Sequence, residues 1–161
     1  MAEPTPLRRG DKAITEVAEL YRIIDEASVL RLAMVDEGRP YVVPLNFARE
    51  GDTLWMHCAS AGRKLECLRR EPAVCVEFDR FVEIVGGSES DPCTWTARYE
   101  SVIGFGTAEI IDLEEDRIHG LLAIMSKYSG RYDWAFPQEM LGKIEVLRVR
   151  LESVTGKHSP L

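Results

Sequence analysis

Apolar and polar positions along this 161-residue chain alternate in two rhythms, and each change of rhythm marks an element. The first thirteen residues are polar, hold Pro4 and Pro6, and are expected to form a flexible arm. From Val17 the rhythm is helical. Val17, Leu20, Ile24 and Ala27 share one face, Thr15 is placed to cap the start, and Glu16 and Glu19 sit where carboxylates complement the helix dipole. Val29 to Val35 reads as a strand, Asp36-Glu37-Gly38 as a turn, and Tyr41, Val43, Leu45 and Phe47 alternate along a second strand. Pro44 inside it gives no ladder hydrogen bond, so that strand is expected to be an edge or to be bulged. Glu50-Gly51-Asp52 turns the chain into a third strand, Thr53 to Cys58. Two hairpins in succession predict an antiparallel meander.

Ser60 to Glu71 breaks the pattern: Leu65 and Leu68 share a helical face, and Pro72 stops the run. Ala73 to Phe78 is a strand again, continuing toward Val85, and Gly86 to Pro92 is a long loop. Ser101 to Ile111 alternates once more, with Gly104 and Gly106 leaving room for something to approach the backbone. Asp112-x-x-Glu115 has the form of a capping box. It opens a helix with Ile118, Leu121, Leu122, Met125 and Tyr128 on one side, closed by Gly130. Glu145 to Glu152 is a last strand. Six strands, three helices and no βαβ rhythm predict an α+β fold that is mainly β: an antiparallel barrel with flanking helices, in one domain over residues 14–161.

Composition removes several function classes. A net charge of −7 argues against a broad nucleic-acid surface. No window approaches the roughly 18 to 20 apolar residues that a membrane helix needs. The basic N-terminal residues lack the apolar stretch of a signal peptide, so a cytoplasmic protein is expected. Cys58, Cys67, Cys75 and Cys93 show no C-x-x-C spacing and no nearby histidine pair, against a zinc ribbon or a thioredoxin motif. They are expected to be reduced and mostly packed as small hydrophobes.

The chemistry concentrates in His57-Cys58-Ala59-Ser60-Ala61-Gly62-Arg63-Lys64-Leu65, where a strand gives way to a helix. A helix N-terminus offers unpaired N–H groups and partial positive charge to a phosphate. Ser60 adds a hydroxyl, Gly62 allows close backbone approach, and Arg63 and Lys64 add full charges. It is not a Walker loop, and an ordinary solvated helix start would look similar. His57 is the one histidine in this segment, either a proton donor to a reduced substrate or a hydrogen-bonding strand residue. Cys58 beside it points to the opposite face of the strand. Trp55 and Trp95 read as core or interface, and Trp134 lies in a Pro-bounded loop.

Four blocks in order carry a resemblance: Gly38 to Phe47, His57 to Leu65, Arg98 to Gly106, and Thr155 to Pro160. Over about residues 14 to 160 the chain resembles the FMN-binding split barrels related to pyridoxamine 5′-phosphate oxidase, in the nitroimidazole-reductase-like branch. The resemblance implies a six-stranded split barrel and a homodimer with flavin mononucleotide between its barrels. Val43, Pro44, Leu45, Asn46 and Phe47 would run under the isoalloxazine ring. His57, Cys58 and Ala59 would flank the ribityl chain, and Ser60, Gly62, Arg63 and Lys64 would hold the phosphate. Ser101 and Val102 would face the ring from the partner chain, with Arg98 and Trp95 as further candidates. The implied activity is an oxidoreductase moving electrons from NAD(P)H to a nitroaromatic or similar small molecule. The alternative is a non-catalytic module for flavin or for haem, with His57 or His158 as an axial ligand. The chain lacks the Arg- and Trp-bearing ending of true pyridoxamine phosphate oxidases, which argues against the vitamin substrate.

Overall fold

The computed structural model describes residues 7–159. Eight strands form one antiparallel sheet: β1 (Ala13–Ile14), β2 (Leu30–Asp36), β3 (Arg39–Leu45), β4 (Phe47–Glu50), β5 (Thr53–Ala59), β6 (Ala73–Val85), β7 (Thr96–Ile110) and β8 (Ile144–His158). Four helices flank it: α1 (Val17–Glu26), α2 (Arg63–Arg70), α3 (Glu114–Ser129) and the single-turn α4 (Gln138–Leu141). The strand order is β3-β2-β6-β7-β8-β5-β4, with β1 pairing β8.

Two differences account for eight strands where six were expected. β1, which begins at the end of the expected arm, pairs Ala13 with Lys157 and Ile14 with Gly156. The strand read through Phe47 is divided at Asn46 into β3 and β4. The predicted meander is also replaced, because these two halves lie at opposite ends of the strand order. Since one residue joins the two edges, the sheet must curl until they meet. The result is a barrel whose ladder is split where the chain itself crosses the gap. Alternation through Phe47 conceals this, because inward positions stay inward on both halves.

β3 is an edge, as Pro44 requires, and joins β2 by a two-residue turn with Glu37 at φ 51° and Gly38 at φ 79°, the positive pair that matches the twist of a tight hairpin. β7 starts at Thr96 and not Ser101, because β6 extends through Val85 and pairs with it throughout. What approaches Gly104 and Gly106 is strand β8. A Cβ on Gly104 would lie 2.9 Å from Leu151 Cδ2, and one on Gly106 would run into the Arg150 carbonyl at the β7–β8 bulge.

The barrel interior is filled by Leu30, Leu32, Phe47, Leu54, Met56, Val76, Phe78, Val102, Leu147 and Val149, all closed to solvent. α1 buries Leu20, Ile23 and Ile24 against it, and α2 adds Leu65, Cys67 and Leu68. A second cluster packs Leu121 and Ile124 of α3 on Trp55, Ala48 and Val146. Neither predicted N-cap forms. α1 is preceded by Glu16 and α3 by Leu113, and neither residue caps through its side chain. Packing of the apolar faces sets these starts. Gly130 closes α3 in the left-handed conformation, as expected.

Candidate functional site

β5 runs out at Ala59, and residues 60–62 lead into α2. Gly62 adopts φ 131°, ψ 167°, a region essentially reserved for glycine, so a side chain there would cost about 1–3 kcal/mol. Its carbonyl accepts from Leu65 and Glu66, which leaves the first N–H groups of α2 facing outward. Ser60, Ala61, Gly62 and Arg63 are exposed, and Lys64 is half-buried.

The two cations stand differently. Arg63 gives Nε–H to Asp36 Oδ2 at 2.6 Å and stacks over the Tyr41 ring at 4.2 Å, tying the β2–β3 hairpin to α2. That guanidinium holds the Asp36 carboxyl below the usual carboxylate range. Its terminal N–H groups have no hydrogen-bond partner among the described residues. Lys64 makes no ion pair among the described residues, and its charge reaches both His57 and Cys58. Burial, and then Lys64, push the His57 pKa down, so the imidazole is neutral at pH 7. Its Nδ1 is enclosed and lacks a partner among the described residues. Burial pushes the Cys58 thiol up, the direction of an inert thiol.

β3 comes to the same corner. The β4–β5 ladder begins at Phe47↔Met56, which leaves Asn46 next in line with His57. Pro44 and Pro40 share one parity on β3, the parity whose missing N–H faces the open edge. Val42 shares it and turns its own N–H outward between them. Val43 and Leu45 are half-buried toward the core, while Val42, Pro44 and Asn46 are exposed. Phe47 differs from its neighbours. Its ring is fully buried 5.1 Å from Phe78, and its N–H donates to Tyr128 Oη at 3.1 Å.

Within one chain the corner therefore gathers residues 43–46 and 57–64, but not Ser101 or Val102. His57 pairs with Val146 and Ser101 with Lys157, at opposite ends of β8, on the order of 30 Å apart along the strand. The Val102 side chain is closed inside the barrel, and Ser101 is half-buried. Arg98 is paired with Glu83 at 2.5 Å, and Trp95 is exposed with its indole N–H on the Ser88 carbonyl. His158 lies beyond Lys157, so one chain cannot bring His57 and His158 to the same haem. Asp36 and Tyr41, the partners of Arg63, carry no local signal in the sequence, because only the hairpin brings them to α2.

Among the described residues no cluster of three His, Cys, Asp or Glu could hold a metal ion, and all four cysteines are free thiols. No helix of the described residues is long and apolar enough to cross a membrane.

The profile of the pyridoxamine 5′-phosphate oxidase family matches residues 16–158. The chain belongs to that family. Among solved structures, a candidate 5-nitroimidazole antibiotic resistance protein from Bacteroides thetaiotaomicron is 31% identical, with a TM-score of 0.81 over 91% of this chain and 86% of that one. An FAD and haem binding protein from Mycobacterium smegmatis aligns at 24% identity and TM-score 0.83, over 93% of this chain and 74% of that one. An FAD-binding protein from Mesorhizobium loti aligns at 23% and 0.69, over 92% and 98%. The last two share the fold. No curated protein matches. Within the pyridoxamine 5′-phosphate oxidase family fold, the corner at β3, β5 and α2 brings the unpartnered His57 Nδ1 beside Lys64, the outer N–H groups of Arg63 and the start of α2.

Proposed function

We propose that this protein holds flavin mononucleotide between two copies of itself and works as an oxidoreductase. NADH or NADPH would supply the electrons and a small nitroaromatic compound would accept them. The observation that carries the reading is the corner at α2. There the Ser60 hydroxyl, the outward N–H groups of the first turn, and the Arg63 terminal N–H groups and Lys64, unpaired among the described residues, converge beside an enclosed His57 nitrogen that likewise has no partner among them. One short helix start with two cations suits a single terminal phosphate. The residues present fit the group: the outward Val42 N–H can meet the polar edge of a flavin ring, with Val42 and Pro44 as its apolar wall. The 31% identity to a candidate 5-nitroimidazole resistance protein supports the substrate class, and the FAD-binding relatives support a flavin.

A bound flavin would supply the hydride and single-electron chemistry. The chain's own groups bind and orient. Lys64 and Arg63 neutralise the phosphate, and β3 fixes the ring plane. His57, kept neutral, offers one N–H and one lone pair to the ribityl chain or to the substrate. A second copy would bring Ser101 to the other side of the ring. The outer sheet face suits that pairing, since Val42, Ala33, Cys75 and Phe105 form a direct cross-strand row of apolar side chains. Val42 and Phe105 are each more than half exposed in the single chain.

Replacing Arg63 and Lys64 together by alanine should remove the yellow colour and weaken FMN binding about 100-fold or more, the loss of two charge-assisted contacts. Fluorescence titration measures it, with circular dichroism confirming the fold. Unchanged affinity would defeat the phosphate assignment. Stopped-flow bleaching of the flavin band by NADH or NADPH tests the donor, and a Soret band in the purified protein would replace flavin by haem.

A further inference from the structure

Away from that corner, one buried ammonium has no hydrogen-bond or ion-pair partner among the described residues. Lys127, on α3, lies with Nζ 3.4 Å from the centre of the Phe47 ring. The nitrogen is closed to solvent and has no hydrogen-bond partner among the described residues. The acids around it are already taken. Asp25, facing it from α1, receives both Nε and Nη2 of Arg49, at 2.8 and 2.5 Å. Glu50 on β4 accepts the Trp55 indole N–H at 2.9 Å and lies 2.6 Å from His119 Nε2. Tyr128, the other ring near Nζ, is turned to Phe47 N and the Ser28 carbonyl. A shielded ammonium without an anion costs stability that an apolar side chain of the same length would not.

The same side chain lines an open cavity of about 330 Å³ between α3 and β4, walled by Ala48, Arg49, Glu50, Ala123, Ser126 and Tyr132. None of these residues belongs to the candidate flavin corner. We propose that Lys127 is a nucleophilic amine that captures a small aldehyde in this cavity as an imine. Desolvation, the leading influence, lowers its pKa to about 8. At pH 7 about one chain in ten then carries the free amine, against about one in three thousand for an ordinary exposed lysine. A rotation at the end of the flexible stem exchanges the Phe47 ring for the cavity. The nitrogen lone pair attacks the carbonyl carbon and the C=O double bond opens. Both amine protons leave with the oxygen as water, and C=N remains. Nothing is oxidised or reduced. Glu50, whose second carboxylate oxygen has no hydrogen bond among the described residues, and Tyr132 line the cavity and would relay the proton.

The test uses the whole protein with propanal as the probe and cyanoborohydride to trap the imine, followed by peptide mapping across the five lysines. At pH 7 the propyl group should appear on Lys127 at least about thirtyfold faster than on Lys12, Lys143 or Lys157, a conservative share of the difference in free amine. The rate should reach half its maximum near pH 8. Labelling of Lys127 no faster than those three, or absent from it, overturns the proposal. Lys127→Met should lose the fast labelling and keep its flavin, which separates this site from the one at α2.

Discussion

At the scale of single residues, cationic side chains are put to opposite uses. Arg63 and Arg49 are held by carboxylates, whereas Lys64 and Lys127 are left without ion pairs among the described residues, one at each of the two proposed sites. For Lys127 the consequence is a definite pH dependence. Its pKa falls from an ordinary 10.5 to about 8 on folding, because burial penalises the charge. Below pH 8 both states are charged and the penalty is complete. Between 8 and 10.5 the unfolded chain keeps a proton that the folded chain has released, so stability rises with pH. At a half-buried position, solvent screening reduces the effect to about 1 kcal/mol. In urea unfolding, the stability advantage of Lys127→Met over the wild type should therefore shrink by about 1 kcal/mol between pH 7.5 and 10. A constant difference across that range would show that Lys127 keeps an ordinary pKa.

At the scale of elements, α3 is fixed by contacts that sequence periodicity does not rank. Gly120 faces Trp55, and a Cβ there would lie 2.7 Å from Trp55 Cε3 and 2.9 Å from Val146 Cγ1. Gly120→Ala sets helix propensity, a gain of about 1 kcal/mol, against overpacking of about 1–3 kcal/mol on a rigid indole. Overpacking should win, with a net loss of about 1 kcal/mol in chemical denaturation and a lower Tm. An increase in stability would mean that Trp55 can shift freely. The element boundaries show what local pattern could convey. The hairpin turn at Gly38 and the stop at Gly130 were legible, because glycine takes positive φ without strain. The division at Asn46 was not, since the alternation Val43, Leu45, Phe47 continues across it. The N-caps expected at Thr15 and Asp112 yielded to tertiary packing. In the same way, the basic run at α2 could be read from sequence, while the Asp36 and Tyr41 contacts that orient Arg63 arise only through the fold.

At the scale of the whole molecule, the outer sheet face and the α2 corner make one claim together. If Ser101 reaches the ring from a second copy, weakening the pair must weaken flavin retention. Phe105→Glu would bury an unpaired carboxylate in each protomer, costing about 3 kcal/mol or more. Gel filtration should then show single chains, and FMN should be lost along with the pair. Flavin held at full strength by single chains would leave Ser101 without a role. The sheet order has a consequence for synthesis as well. β8 is the last strand of the eight to leave the ribosome, yet it lies between β7 and β5 and also carries β1. Until residues 144–158 have emerged, the nascent chain holds two partial sheets with raw margins where β8 belongs. A chain stalled before that point should be captured by chaperones and degraded, while one extended through the fifteen residues of β8 and freed from the ribosome yields a protease-resistant product.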